Sequence, residues 1–306
     1  MEIRAQRVGD SLAAASERLQ RSGSETARLD AEVLLAYVLG IDRSGLTAHP
    51  EAVLSTAQID HFEGCLRRRE AGEPVAYIRG MKEFYGAVMT VDPRVLIPRP
   101  ETETLVELAL ARVSADLTSA SRDPAAAPYL VWDLGTGSGA IAVAMAMELR
   151  RRRYGDAVRY VVSDVSADAR DVATVNVVSH GLADLFTFSL GDLTDIEPAP
   201  DRPVDLLLAN LPYIPSPAMP ALPIAASFEP VVALDGGPDG LTVIRRLLPE
   251  LPRVLAPAGA CLLEIGGDQG PGLGAAVEDA LPGWACTIHA DLSGSPRVAL
   301  VERADG

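Results

Sequence analysis

From residue 129 to residue 301, short apolar runs alternate with stretches of helical spacing, and this alternation restricts the fold more than any other feature. The apolar runs are 129–133, 159–164, 185–190, 204–209, 260–265, 284–289 and 297–301. Helical spacing falls near 139–152, 167–179, 240–255 and 270–280. Short strands separated by helices of ten or more residues are crossover units, so this part of the chain is expected to be a doubly wound, mainly parallel sheet. In such a sheet ligands bind beyond the carboxyl ends of the strands, where the strand order reverses. The residues at those ends are therefore the first candidates for function.

Asp133-Leu134-Gly135-Thr136-Gly137-Ser138-Gly139-Ala140 closes the first strand and opens a helix. Glycines there let the backbone turn sharply and let a ligand approach with no Cβ in the way. The helix behind them offers unpaired N–H groups and the positive end of its dipole. With Ala140 in the last place the run also fits a dinucleotide fingerprint, so a nicotinamide enzyme is a rival reading at this point. Asp164 ends the second strand, where its carboxylate could accept both hydroxyls of a ribose. Gly191-Asp192-Leu193 follows the third strand. Asp192 could accept from an exocyclic adenine amine while Leu193 packs on the ring, although Gly-Asp is also an ordinary turn.

The fourth strand ends in Asn210-Leu211-Pro212-Tyr213. An amide nitrogen shares its lone pair with the carbonyl and is a poor nucleophile. A site that methylates it must accept hydrogen bonds from both N–H groups, favouring a more pyramidal nitrogen at the transition state. The Asn210 side-chain carbonyl can supply one acceptor and the Leu211 backbone carbonyl the other. Pro212 has a fixed φ and confines Leu211 to extended conformations, which holds that carbonyl in place. Tyr213 can lie against the planar group. With a methyl donor in line, catalysis is mainly positioning plus electrostatics and needs no strong base. An Asn-x-Pro turn is common in unrelated proteins. Its place after a glycine loop and a strand-end acid favours the chemical reading.

The rest of the 306 residues excludes several classes. Residues 11–21, 27–39 and 56–70 read as helices, with Gly40 as a stop. Arg67-Arg68-Arg69 is expected to be a solvated helix face, and residues 75–98 to form strands or a hairpin. A helix is expected at 101–113 and a loop at 114–128. The formal charge of −15, most of it after residue 75, argues against a free nucleic acid as main partner. Three separated cysteines and four scattered histidines give no disulfide framework and no metal spacing. The amino terminus is not a secretory signal and no apolar run reaches membrane-spanning length, which points to the cytoplasm.

Most of the chain resembles the release factor glutamine N5-methyltransferases, within the class I S-adenosylmethionine-dependent methyltransferases. The likeness runs through 83–86, Leu96-Ile97-Pro98-Arg99-Pro100-Glu101-Thr102-Glu103, the glycine loop, Asn210–Tyr213, Phe228-Glu229-Pro230, 233–240 and Glu264-Ile265-Gly266. The resemblance implies a seven-stranded Rossmann-like methyltransferase domain over 99–306, a hairpin linker over 75–98 and a helical substrate-docking domain over 1–74. It implies methyl transfer from S-adenosylmethionine, leaving S-adenosylhomocysteine, to the glutamine of the Gly-Gly-Gln motif in class I release factors. By the same resemblance Gly135, Thr136, Gly137, Ser138, Gly139, Asp164, Asp192, Leu193 and Asn210 hold the donor. Asn210, Leu211, Pro212 and Tyr213 hold the glutamine, and Arg99 and Glu101 shape its pocket. No metal, membrane or direct nucleic-acid partner is expected, and the chain is expected to be monomeric.

The family usually has Pro where this chain has Leu211, and Asn-Leu-Pro-Tyr is also the form found in ribosomal RNA adenine dimethyltransferases. An RNA adenine N6-methyltransferase is therefore one alternative, set against the acidic charge, since RNA enzymes need phosphate-binding Lys and Arg. A non-catalytic binding module on a methyltransferase fold is another.

Overall fold

A computed structural model describes residues 6–119 and 127–304. They divide into two units, one made by the chain up to Met81 with Pro223–Phe228, the other by Lys82–Leu222 and the chain from Glu229 onward. The boundary after Met81 lies inside the segment read from sequence as a hairpin linker.

The first unit is helical: α1 (Val8–Arg21), α2 (Ala27–Leu39), α3 (Arg43–Ala48), α4 (Thr56–Glu70) and α5 (Val75–Arg79). Gly40 ends α2 in the left-handed conformation (φ +67°). Ser55 opens α4 through a capping box with Gln58. Leu19, Leu34, Leu35, Phe62 and Leu66 close one buried cluster among these helices, each stabilising the unit by about 1.5–3 kcal/mol. Arg69 departs from the solvated role expected of it. Its Nε donates to Asp30 Oδ2 at 2.7 Å, and both side chains are largely buried, because α4 packs on α2 and brings this face of the arginine run inward.

The second unit opens with a hairpin of β1 (Met81–Phe84) and β2 (Ala87–Thr90). Tyr85 and Gly86, both at positive φ, form its turn. Tyr77 and Ile78, expected in strands, lie in α5 instead. Then come α6 (Glu103–Thr118), β3 (Tyr129–Leu134), α7 (Ala140–Arg151), β4 (Val158–Asp164), α8 (Ala167–Ser179), β5 (Phe186–Asp192), β6 (Asp195–Glu197) and β7 (Val204–Ala209). The chain finishes with α9 (Thr242–Leu247), α10 (Leu251–Val254), β8 (Leu255–Glu264), α11 (Gly270–Ala280), β9 (Trp284–Ala290) and β10 (Pro296–Arg303).

The sheet order is β6-β5-β4-β3-β7-β8-β10-β9. The five central strands are parallel, while β10 runs antiparallel to β8 and β9, and β6 runs antiparallel to β5. All seven expected strands are present. β6 is added at an edge, three residues whose sequence carries too little periodicity to be noticed. The helix expected over 240–255 is interrupted, because Pro249 and Pro252 lack the N–H needed to continue it. Residues 114–118, expected in a loop, extend α6. Residues 120–126 of that loop lie outside the described residues. One core, including Trp132, Leu134, Leu207, Leu211, Leu251 and Leu263, holds the sheet against α9–α11. No helix among the described residues is long and apolar enough to cross a membrane.

Candidate active site

Pairing along β3 sets the level of the site. Leu134 is opposite Ser163 on β4 and Ala209 on β7, so Gly135, Asp164 and Asn210 leave the sheet side by side. Chain order runs outward from β3 through β4 to β5 on one side and from β7 to β8 on the other, making the β3/β7 boundary the switch point. A cleft of about 390 Å³ opens there. Its lining includes Gly135–Ser138, Asp164, Asp192, Leu193, Asn210, Leu211, Pro212, Arg99 and Thr102, with Pro230, Val232, Ala233 and Val243 as an apolar wall.

The glycine loop is held from below. Gly135 and Thr136 N–H both donate to Ser163 O at 2.9 Å, and the Thr136 hydroxyl donates to Asp133 Oδ2 at 2.8 Å. Asp133 is fully buried, which pushes its carboxyl up to about 6, partly offset by the Thr136 bond. Gly137 (φ +55°) has nothing within 4 Å of where a Cβ would stand, so the loop is bare toward the cleft. Gly137 N–H donates to Asp164 Oδ2 and Ser166 N–H to Asp164 Oδ1, each at 2.9 Å. Burial raises the Asp164 pKa and these two bonds oppose the rise. Each Asp164 oxygen keeps a lone pair for the cleft. Asp192 is exposed and its Oδ2 accepts from Arg246 at 2.6 Å, while Leu193, at φ +53°, turns into the lining.

The strand end at β7 is fixed from three sides. Asn210 Nδ2 donates to the hydroxyl of Thr102, itself buried, at 3.2 Å. This commits the amide nitrogen and leaves Asn210 Oδ1 without a protein donor among the described residues. Leu211 buries its side chain in the core, and a Cβ on Gly135 would stand 3.3 Å from its Cδ2. The side chain thus packs against the glycine loop at Gly135. Pro212 lines the cleft; Tyr213 is half-buried and its phenol donates to Glu264 Oε1 at 3.2 Å. Tyr213 O accepts from Gln269 Nε2 at 2.9 Å, and Ile214 N–H donates to Leu234 O at 3.0 Å.

Arg99 lines the cleft and pairs with Glu229, a buried carboxylate that also accepts from Ile97 N–H at 3.2 Å. Burial pushes the Glu229 carboxyl up against the pull of Arg99. Glu101 is exposed and is not in the lining; its neighbour Thr102 is. Sequence reasoning assigns no role to Thr102, Glu229, Glu264, Gln269, Gly236 or Gly240. All but Gln269 lie in the segments that carry the family resemblance. What hides them is distance: Thr102 meets Asn210 across 108 positions, and Gln269 sits in an unremarkable helix start.

Residues 10–80 match the family model described as the PrmC N-terminal domain. The chain is 41% identical over 85% of each chain to a release factor glutamine methyltransferase of Moorella thermoacetica. It is 36% identical to one from Bradyrhizobium diazoefficiens, over 92% of this chain and 89% of that one. Among solved structures, the hMettl16 catalytic domain in complex with a MAT2A 3′UTR hairpin aligns with a TM-score of 0.52 at 13% identity, covering 81% of this chain and 80% of that chain. That likeness is one of fold.

Proposed function

The chain belongs to the release factor glutamine methyltransferases, and from that premise we propose that it methylates the side-chain amide nitrogen of the glutamine in the Gly-Gly-Gln motif of class I release factors. S-adenosylmethionine is the donor in this reading, with S-adenosylhomocysteine as product. The residues present fit that group. Asp164 has free lone pairs at ribose height, the loop at Gly137 leaves room for a close approach, and Leu193 with Val243 offers an apolar wall for a purine. Bound there, the donor supplies an electrophilic methyl on a sulfonium sulfur.

The observation that carries the proposal is the state of Asn210. With Nδ2 bound to Thr102, its Oδ1 is available as an acceptor, and Leu211, the next residue, lines the same cleft. Two acceptors at one strand end suit the two N–H groups of a primary amide and draw its lone pair toward the incoming methyl. The new N–C bond forms as the S–C bond breaks, and the nitrogen then gives up one proton to solvent. The formal charge of −15 and the pairing of Arg99 with Glu229 count against a phosphate backbone as the substrate.

The test is transfer of labelled methyl to a release factor carrying Gly-Gly-Gln and to one with the glutamine substituted, with ribosomal RNA alongside. Label is expected on the first alone. Equal labelling of both release factors, or label on RNA, refutes the assignment. Asn210→Ala is expected to reduce transfer by at least about 100-fold with little change in melting temperature; unchanged turnover would show that Asn210 is not the acceptor for the substrate amide.

A further inference from the structure

Asn176 shares the buried stripe of α8 with Val172, Ala173 and Val177 and has no exposed surface. Asparagine is a poor helix former, and burying its amide is costly unless the polar atoms are bonded. Here the bonds go to backbone outside the helix. Its Oδ1 accepts from Thr90 N–H at 2.7 Å, while its Nδ2 donates to Thr90 O at 2.9 Å and to Ser138 O at 2.8 Å. An N–H can meet only the amide oxygen and a carbonyl only the amide nitrogen, so these partners fix which way the group points. Thr90 ends β2, and the chain runs on from it into Arg94, Val95, Leu96, Pro98 and Arg99, which line the cleft. Ser138 belongs to the glycine loop and lines the same cleft. Gly139 N–H donates to Thr136 O at 2.8 Å, so both polar groups of the Ser138–Gly139 peptide are committed. A Cβ on Gly139 would stand 3.2 Å from that of Ala173, so α8 rests directly against this loop.

We propose that Asn176 is a positioning residue for the methyl donor: its one planar amide ties the segment that starts at Thr90 to the glycine loop at Ser138, and so sets the distance between two parts of the cleft that hold S-adenosylmethionine. The inference rests on the methyl-transfer reading above. Thr90 N–H and O are both bonded to this amide, as they would be to a neighbouring strand. The end of β2 therefore cannot shift without turning the amide, and the second Nδ2 hydrogen carries the turn to Ser138 O. The β1–β2 hairpin is a sheet of its own with no ladder to the large sheet, and this side chain makes the connection. Cleft walls held at the right separation in advance cost a ligand less to bind. Asn176 lies outside the cleft lining and acts through the loop. A side chain that only stabilised the fold would lower the melting temperature and leave donor affinity alone, which separates the two roles.

The test uses the full chain, calorimetry with S-adenosylhomocysteine and kinetics of methyl transfer to a release factor. Asn176→Ala removes all three bonds. Asn176→Asp keeps the shape and the acceptor for Thr90 N–H but, ionised, loses both donors. Val113→Ala, buried in α6 and outside the lining, is a control that lowers stability alone. Both Asn176 variants are expected to bind S-adenosylhomocysteine about tenfold more weakly, the equivalent of one hydrogen bond between loop and donor. KM for the donor should rise by the same factor, with KM for the release factor within about twofold and kcat at saturating donor within about threefold of wild type. Val113→Ala should keep its affinity within about twofold. Where a variant melts too low for calorimetry, the rise of its melting temperature with added S-adenosylhomocysteine gives the same affinity. Affinity within about twofold of wild type in either Asn176 variant overturns the proposal. So does a loss in Val113→Ala as large as that in Asn176→Ala, or a kcat that falls while KM for the donor stays unchanged. These results leave the methyl-transfer reading intact, whereas a wild-type chain that binds no S-adenosylhomocysteine brings down both.

Discussion

Gly236 tests whether the catalytic strand end is held by contact with the loop that follows it. A Cβ at this position would stand 2.6 Å from Pro212 O, 2.7 Å from Gly240 O and 2.8 Å from Tyr213 Cα, all of them backbone atoms. Ordinary contact begins at 3.4 Å, so the backbone of Pro212 and Tyr213 must move by most of an ångström to admit it. Gly236 is not at positive φ, so the cost of Gly236→Ala is steric. Overpacking of this kind costs about 1–3 kcal/mol, a melting decrease of several degrees in a domain of this size. The larger effect falls on function. Shifting a positioned acceptor by about 1 Å costs about 100-fold in rate, and the Leu211 carbonyl is one peptide away. The control is Gly181→Ala, at φ +64° with nothing within 4 Å, where only the conformational cost of about 1–2 kcal/mol applies. Both variants should melt somewhat below wild type, but only Gly236→Ala should lose kcat/KM by about 100-fold. If Gly236→Ala methylates within threefold of wild type, the loop does not hold the tetrapeptide.

Asp164→Ala should weaken binding of S-adenosylhomocysteine by about 10–100-fold in calorimetry, since hydrogen bonds to a charged acceptor contribute about 1.5–3 kcal/mol; unchanged affinity would remove Asp164 from the donor site. Leu211→Ala should cost about 2–4 kcal/mol in urea unfolding through loss of core packing, yet keep kcat within about tenfold because the carbonyl survives; a near-total loss of kcat in the folded variant would show that the side chain matters to the chemistry. Asp133, raised from 3.8 to about 6 in the fold, binds its proton more tightly folded than unfolded between those values. Its contribution therefore favours folding as pH falls from about 6 toward 4, and Asp133→Asn should abolish that gain, on the order of 2 kcal/mol. Identical pH dependence of urea stability in the two proteins would refute the shift.

The sheet was legible in the sequence because buried parallel strands and their crossover helices each leave a local period, and local periods survive in one dimension. β6 and the break within 240–255 escaped because three residues carry no period and because the apolar spacing continues across Pro249 and Pro252. The glycine loop, Asp164 and the Asn210–Tyr213 run were visible as candidates because each sits directly at a strand end. The buried pairing of Arg69 was not legible, because a charge run shows which residues are basic but not which face a neighbouring helix will cover.

The strand alternation, the residues at the strand ends and the resemblance to a methyltransferase family are all readable along the chain. Which way those residues point is set by packing in three dimensions. Leu211 reads as a departure within a ligand-facing motif, yet its side chain is buried against the glycine loop. Arg99 finds Glu229, not its neighbour Glu101, and Asn210 is oriented by Thr102. The physical reason is the same in each case: hydrogen bonds and close packing depend on distance in space, and these partners lie far apart along the chain.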